Sequence, residues 1–372
     1  MEVKLKSRFI KNLIKKISKI SNSPLLDFAL IYSKYDKKTN LASTISKISG
    51  KNPFIKIDAL KIVPFYFDLI KRIKSCPIPY ITHSKVFYES DFYIKKGVLI
   101  PRPETEILVD CAILYCLYLV DSYFQREKND NLFFSNFFGS ALNNEFKENS
   151  VIEFDNFQKI VEIAQYNYKK SYINLLNEKG YEIKKLKINF LDFCSGSGAI
   201  AISIVRKLEG YGIDAKATGI DISKKAILVA KKNAKLILKK RKENTNFVRA
   251  DILKYNFDKS YSNTFDFIVA NPPYIKLEDY KKLNREVKKF EPKIALLSKG
   301  EQNQIYLKIV RIAKKILKDN GIIAVEVSDS KHAEEVANIF KTSKFKTIII
   351  NDINKIGRVI LGQKNDIKDT GT

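Results

Sequence analysis

From Ile188 onward the chain alternates apolar runs with amphipathic helical segments, and this alternation restricts the fold more than any other feature. Strand candidates end at Phe193, Asp221, Asp251, Ala270, Val327, Ile350 and Leu361. Helix candidates lie between them. One spans 224–238 with Ser223 as N-cap, and another spans 304–318 with Gly321 as a stop signal shortly after it. Strand–helix–strand repetition calls for parallel strands covered by helices on both faces, so the expected class is α/β with a doubly wound sheet. Ligands of such sheets bind beyond the carboxyl ends of the strands. The chemistry is therefore sought there.

The run Phe190-Leu-Asp-Phe-Cys-Ser-Gly-Ser-Gly-Ala-Ile-Ala201 is an apolar strand that enters a glycine turn and then a helix. Gly196 and Gly198 allow a sharp turn and a close approach of backbone to ligand. Asp221 closes the next strand, where a carboxylate can accept both hydroxyl hydrogens of a ribose. Asp251, at the end of the strand after that, can accept from an adenine amino group or simply cap a helix. Gly196-x-Gly198-x-x-Ala201 also satisfies a dinucleotide fingerprint. On this loop alone an NAD-like cofactor, S-adenosylmethionine and a plain strand–helix turn all remain open.

The run Phe265-Asp-Phe-Ile-Val-Ala-Asn-Pro-Pro-Tyr-Ile275 decides between them. A buried-type strand delivers Asn271 at its end, and Pro272 and Pro273 then fix the backbone. An amide or aromatic amine is a poor nucleophile because its lone pair is delocalised. If the Asn271 side-chain oxygen and the Pro272 carbonyl each accept one N–H, the nitrogen can be aimed at a sulfonium methyl. That is catalysis by orientation and electrostatics, without a strong base. Tyr274 can lie against the planar group and near the cationic sulfur.

Upstream, residues 1–76 carry helical periodicity, as in the stripe Phe9/Ile10, Leu13/Ile14, Ile17 and Ile20, and read as a small helical recognition domain. Residues 77–106 hold Pro77, Pro79, Pro101 and Pro103 around short β-type runs, which fits a hairpin linker. Residues 107–187 begin with a helix candidate at 107–120 and continue as an atypical insertion, Asn/Phe-rich at 129–138 and helical in character at 157–176. Residues 188–365 form the α/β domain and 366–372 a tail.

Composition limits the alternatives. The net charge is +26, but only 10 of the 67 basic residues are Arg. Arg is the usual residue for bidentate phosphate and base contacts, so lysine richness alone names no partner. Four cysteines without a CxxC pair and two isolated histidines give neither a disulfide framework nor a metal site. Neither histidine lies near a nucleophile elbow, which argues against a Ser-His-Asp hydrolase. The most apolar stretch, 107–120, is too short to span a bilayer and is broken by Asp110. The expectation is a soluble, cytoplasmic protein.

The same residues resemble the bacterial peptide chain release factor glutamine methyltransferase family. Pro77-Ile-Pro-Tyr-Ile81 followed by Val86-Phe-Tyr88 is similar to the entry to that family's hairpin linker. Leu99-Ile-Pro-Arg-Pro-Glu-Thr-Glu106 matches a specific signature there, and Asn271-Pro-Pro-Tyr274 matches the catalytic motif. Phe290-Glu-Pro292 with Ala295-Leu296 and Gly300, then Arg358-Val-Ile-Leu-Gly362, match later segments. The resemblance implies a seven-stranded, Rossmann-like class I methyltransferase domain with a small N-terminal helical domain. It implies methylation of the glutamine amide in the Gly-Gly-Gln motif of release factors, with S-adenosylmethionine as cofactor. Release factors would be the partners, with a place near the ribosome, no membrane, no required nucleic acid, no metal and a monomeric chain.

By this resemblance Asp192, Cys194, Ser195, Gly196, Ser197 and Gly198 line the cofactor site, together with Asp221, Asp251, Ile252 and Asn271. Asn271, Pro272 and Tyr274 are the catalytic set, and Asn271 to Tyr274 hold the substrate together with Arg102 and Glu104, the stretch Arg102 to Glu106 lying near the mouth. Cys194, His83 and Ser328 stand where the family has glycine, Ile252 where an aromatic is often found, and the segment 107–191 is longer than usual. A ribosomal-protein glutamine, an adenine exocyclic amine in nucleic acid and a non-enzymatic scaffold on the ribosome are the competing readings.

Overall fold

A computed structural model describes residues 2–128, 150–179, 187–298, 300 and 303–364. The stretch 129–138 and the tail 366–372 lie outside the described residues. The chain divides into two compact units. One comprises Met1–Lys85, Tyr93–Ile100 and Lys281–Pro292, and the other Val86–Phe92, Pro101–Tyr280 and Lys293–Thr372.

The first unit contains β1 (Glu2–Leu5), α1 (Ser7–Ile17), α2 (Pro24–Ser33), α3 (Leu41–Ser49), β2 (Ile55–Asp58), α4 (Ile62–Ile73) and α5 (Ile78–Thr82). The apolar stripe of α1 is buried through Ile10, Leu13 and Ile17. Phe65 on α4 meets Phe28 and Tyr32 of α2 edge-on, with centroids 5.8 and 6.1 Å away. Helical periodicity accounts for α1 to α4 but not for β1 and β2, which pair antiparallel from Glu2↔Asp58 to Leu5↔Ile55. At four residues each, these strands are too short for alternation to stand out. The buried Arg72 guanidinium binds Asp27 at 2.7 Å and also Glu286, so a charge that would be costly alone is compensated twice. After α5 the chain turns at His83, whose φ of 60° is left-handed, a conformation that glycine adopts more readily. Strands β3 (Ser84–Phe87) and β4 (Ser90–Tyr93) then pair as a two-stranded sheet, and both turn residues, Tyr88 and Glu89, have positive φ.

The second unit runs through α6 (Glu106–Lys128), β5 (Val151–Ile152), α7 (Phe154–Lys179), β6 (Lys187–Phe193), α8 (Ala199–Gly210), β7 (Asp214–Asp221) and α9 (Lys224–Ile237). It continues with β8 (Thr245–Arg249), β9 (Phe265–Ala270), α10 (Gln304–Ile316), β10 (Leu317–Glu326), α11 (Ser330–Thr342), β11 (Phe345–Asn351) and β12 (Gly357–Lys364). The sheet order is β5-β11-β12-β10-β9-β6-β7-β8, with β12 antiparallel to both of its neighbours. This is the doubly wound fold, with eight strands rather than seven. The extra strand is the two-residue β5, which the long segment before β6 adds parallel to the β11 edge.

Every residue of β9 is buried, as a central strand covered on both faces requires. Alternation along the strands sends Phe190 and Phe267 to one face, where their rings stack at 4.5 Å and Tyr115 of α6 meets Phe267 edge-on. Leu191, Ile268 and Ile323 go to the other face and pack with Tyr306, Ile309 and Ala313 of α10 and Val336 of α11. Two sequence markers need correction. Gly321 does not stop α10. The helix ends at Ile316, and Gly321 lies inside β10, where the register shifts between Leu317 and Ile322. Asp251 stands just beyond β8 rather than at its last residue.

Register brings the functional strand ends level. Phe193 pairs with both Ile220 and Ala270, and Ala270 pairs with Val325. The residues one step further, Cys194, Asp221, Asn271 and Glu326, therefore form a row across the carboxyl edge of four adjacent strands.

Candidate active site

The glycine loop between β6 and α8 is held by its own backbone and by Asp221. Ser195 N–H donates to the Ile220 carbonyl at 3.2 Å, and Gly198 N–H to the Ser195 carbonyl at 2.7 Å. Asp221 accepts the Gly196 N–H on one carboxylate oxygen (2.9 Å) and the Ser223 N–H on the other (2.7 Å). Each oxygen keeps a further lone pair. Gly198 starts α8 at φ +76°, and a Cβ there would lie 2.9 Å from both Ile202 and Phe247. Only glycine fits. Asn233 of α9, fully buried, donates to the Ser197 carbonyl at 2.9 Å and fixes the loop from behind.

Cys194 takes φ +60°, a backbone state that costs a non-glycine residue about 1 kcal/mol. Burial and the nearby carboxylates of Asp221, Asp192 and Asp251 push its thiol well above the ordinary range, so it stays protonated and unreactive. Asp192 is fully buried. One oxygen accepts the Ala201 N–H at 3.2 Å and the other has no partner, and burial raises its pKa to about 8. Asp251 accepts the Leu253 N–H at 3.1 Å, so it does cap the turn that follows, with its second oxygen uncommitted to that bond. Ile252 packs into the core cluster beside Phe193.

The Asn-Pro-Pro-Tyr corner is half-buried, and its far side is fastened where Ile275 N–H donates to Leu296 and the Ile275 carbonyl accepts from Ser298 N–H. Asn271 Nδ2 lies 2.9 Å from Glu326 Oε2 and 3.1 Å from Thr105 Oγ1. Thr105 spends its hydroxyl hydrogen on the same Glu326 oxygen, at 2.7 Å. It therefore offers Asn271 only lone pairs, as the carboxylate does. Both neighbours are acceptors, which obliges the Asn271 amide to face them with nitrogen and to turn Oδ1 away. The Tyr274 hydroxyl donates to the other Glu326 oxygen at 3.0 Å, and Tyr306 donates to the Glu326 carbonyl at 2.8 Å. Burial raises the Glu326 pKa while these donors pull it down. Burial and the Glu326 charge hold Tyr274 protonated.

Arg102 and Glu104 lie within electrostatic reach, Arg102 of Tyr274 and Glu104 of Glu326. Behind the corner, Arg358 donates to the Ser328 carbonyl at 2.7 Å and to Asp352 at 2.8 Å. Ser328 needs no positive φ and gives its N–H to His332 Nδ1, which burial keeps neutral near pH 7.

A model described as a methyltransferase domain matches residues 184–368. The release factor glutamine methyltransferase of Clostridium acetobutylicum is 32% identical over 305 residues, covering 81% of this chain and 80% of that one. The enzyme of the same name from Buchnera aphidicola is 30% identical over 362 residues, covering 95% and 99%. The chain belongs to the release factor glutamine methyltransferase family.

The methyltransferase uses S-adenosylmethionine, and its residues fit that cofactor. A Cβ on Gly196 would meet only the Cys194 carbonyl, at 3.9 Å, so the loop opens onto space there. Asp192 Oδ1 and Ser195 Oγ are buried beside it without a partner. Asp221 and Asp251 hold backbone N–H groups nearby and have acceptor capacity beyond those bonds. The motif positions named from sequence thus fall into two groups within one unit, the glycine loop with Asp221 and the corner at Asn271. Glu326, Tyr306 and Asn233 were absent from that set, and Thr105 was expected only within the 102–106 stretch near the mouth, not as a partner of Asn271. Glu326 carried a usable signal, a lone carboxylate at the end of the apolar run Gly321-Ile-Ile-Ala-Val-Glu326. Among the described residues no helix is long and apolar enough to cross a membrane.

Proposed function

We propose that this methyltransferase modifies the side-chain amide nitrogen of the glutamine in the Gly-Gly-Gln motif of peptide chain release factors. The observation that carries the reading is the locked Asn271 amide, with nitrogen toward Thr105 and Glu326 and Oδ1 turned away. Oδ1 and the Pro272 carbonyl then accept the two N–H bonds of the substrate amide. Two fixed acceptors stabilise the partial positive charge that grows on the nitrogen as it attacks. Proline has no N–H to compete for either acceptor, and its ring prevents the corner from relaxing into helix. Tyr274, tied to Glu326, forms the wall against which the planar amide lies. Bound S-adenosylmethionine supplies an electrophilic methyl group. Asp221 accepts the ribose hydroxyls, Asp251 the adenine amino group, and the loop from Cys194 to Gly198 admits the methionine portion. Arg102 and Glu104 meet the substrate at the mouth, and residues 1–76 recognise the body of the release factor.

The same grip would serve an adenine amino group or a ribosomal-protein glutamine. The names of the relatives support the release factor. The test is incubation with labelled S-adenosylmethionine and purified release factor, followed by mass mapping. A single methyl group on the Gly-Gly-Gln glutamine is expected, with none after Asn271→Ala. Label on a ribosomal protein or nucleic acid, with the release factor unmodified, would overturn the reading.

A further inference from the structure

A cleft of about 260 Å³ lies along the C-terminal half of α8, the helix whose N-terminus carries the glycine loop. Its walls come from the β3–β4 turn at Tyr88 and Glu89, from Lys169 on α7, and from Ser203, Arg206, Lys207 and Tyr211. The segment that contributes α7 supplies none of the candidate methyl-transfer residues. Here it has a place: the Tyr168 hydroxyl donates to the Tyr211 carbonyl at 2.9 Å and pins α7 beside the cleft.

The hydrogen-bonding inventory of this cleft is one-sided. The hydroxyls of Ser203 and Tyr211 are buried without a partner, in residues only 1% and 4% exposed. Burial, with Glu89 and Asp110 nearby, raises the Tyr211 pKa to about 12, so it remains an O–H donor. Lys169, Arg206 and Lys207 add cationic donors, with Lys169 5.9 Å above the Tyr211 ring and Lys207 5.6 Å above that of Tyr88. The nearby acceptors are already engaged. Glu89 pairs with Lys207 at 3.1 Å, while Asp110 takes the Tyr88 hydroxyl at 2.7 Å and Gln158 at 2.9 Å. Arg206 commits one nitrogen to Ser90, at 2.5 Å, and its planar fork has more to give.

We propose that this cleft binds a phosphate monoester. In the walls the three cations Lys169, Arg206 and Lys207 outnumber the one lining carboxylate, Glu89, and Asp110 behind them is taken up by Tyr88 and Gln158, so the cleft presents an excess of positive charge to an anion. A phosphate also has enough acceptor oxygens for the two hydroxyls and the cations together, which a carboxylate lacks. The volume falls just below the roughly 300–1,000 Å³ of sites for drug-sized ligands. There is room for a phosphate and a sugar-sized body between the tyrosines, but not for a dinucleotide. The positive net charge of the chain raises the local concentration of any such anion. The proposal does not depend on the substrate of methyl transfer.

The test is calorimetric titration of the full chain with ribose 5-phosphate, with ribose as control. One saturable site per chain is expected for the phosphate ester and none for ribose. Lys169→Ala and Arg206→Ala should each weaken binding about tenfold, and Tyr211→Phe, which leaves the ring in place, about threefold. Lys169→Ala should leave methyl transfer unchanged, and Asp221→Ala should leave phosphate binding unchanged. A short 5′-phosphorylated RNA in place of the sugar phosphate separates the sources. Tighter, strongly salt-dependent binding of RNA, lost in the same variants, assigns the phosphate to RNA, and equal or weaker binding assigns it to a free metabolite. No saturation at about 10 mM ligand, or affinity unchanged in all three cleft variants, would overturn the proposal.

Discussion

Glu326 Oε2 lies 2.9 Å from Asn271 Nδ2, and this contact decides which way the Asn271 amide faces. An Asn side chain reads nearly the same after a half-turn, so a catalytic role for its oxygen requires something that forbids the flip. Glu326 forbids it because a carboxylate can only accept, and it serves Asn271, Thr105 and Tyr274 together. Glu326→Gln retains a single acceptor oxygen, enough for Tyr274 or for the Asn271–Thr105 pair but not for both. The expected result is a fall in single-turnover rate of about a hundredfold. Affinity for S-adenosylhomocysteine should stay within about threefold, because Glu326 on β10 lies three strands from Asp221 on β7, the proposed ribose acceptor. Equal loss of affinity and rate would mean that Glu326 supports the whole fold rather than one amide.

Thr105 makes a narrower contribution. Thr105→Val keeps the shape and removes the hydroxyl that bridges Asn271 and Glu326. Turnover should drop about tenfold, and Thr105→Ser should restore most of it. Combined with Glu326→Gln, the losses should be less than additive, since both changes release the same amide. Additive losses in the rate measurements would show that Thr105 acts elsewhere.

The legibility of the sequence followed the physical range of each signal. The alternation of β6 to β12 with helices is a local pattern repeated many times, and it gave the sheet correctly apart from β5. Two residues at an edge are too few to leave a period. Cys194 was readable only through the resemblance, as a residue standing where the family has glycine, and its φ of +60° is the reason glycine suits that position. Glu326 was readable only as a lone carboxylate ending an apolar run, because its role comes from register. Only the pairing of Val325 with Ala270 places it beside Asn271, 55 residues away in sequence. Thr105 reads locally as a residue that starts a helix, and its bond to the corner crosses 166 positions. Hydrogen bonds between side chains so far apart have no local signature, whereas glycine turns and proline corners do.

Asp221 carries the test of the cofactor site. Its two oxygens hold Gly196 and Ser223 while keeping lone pairs for ligand hydroxyls. Asp221→Asn keeps one acceptor oxygen and loses the charge. Calorimetry with S-adenosylhomocysteine should show affinity lower by about ten- to hundredfold, with the substrate site intact in competition assays. An unchanged dissociation constant would remove Asp221 from the ribose.

Asp192 makes stability depend on pH in an unusual direction. Its carboxyl is fully buried and ionises near pH 8 in the folded chain, whereas an unfolded Asp ionises at about 3.9. Between those values the folded state holds the extra proton, so stability falls as pH rises, by about 1.4 kcal/mol per unit from this group alone. The contribution is complete below about pH 4 and is spent above about pH 8. Asp192→Asn imitates the protonated acid, with an oxygen for the Ala201 N–H and a donor in place of the hydroxyl, and it cannot ionise. Urea unfolding of both chains at unit intervals from about pH 5 to about pH 9 should show the variant gaining on the wild type up to pH 8 and running parallel beyond it. Parallel curves across the whole range would mean that Asp192 is already ionised in the folded chain. The unpartnered Oδ1 would then have to be stabilised as an anion by the backbone around Gly196, and the site would meet its cofactor with a negative charge rather than a neutral acid.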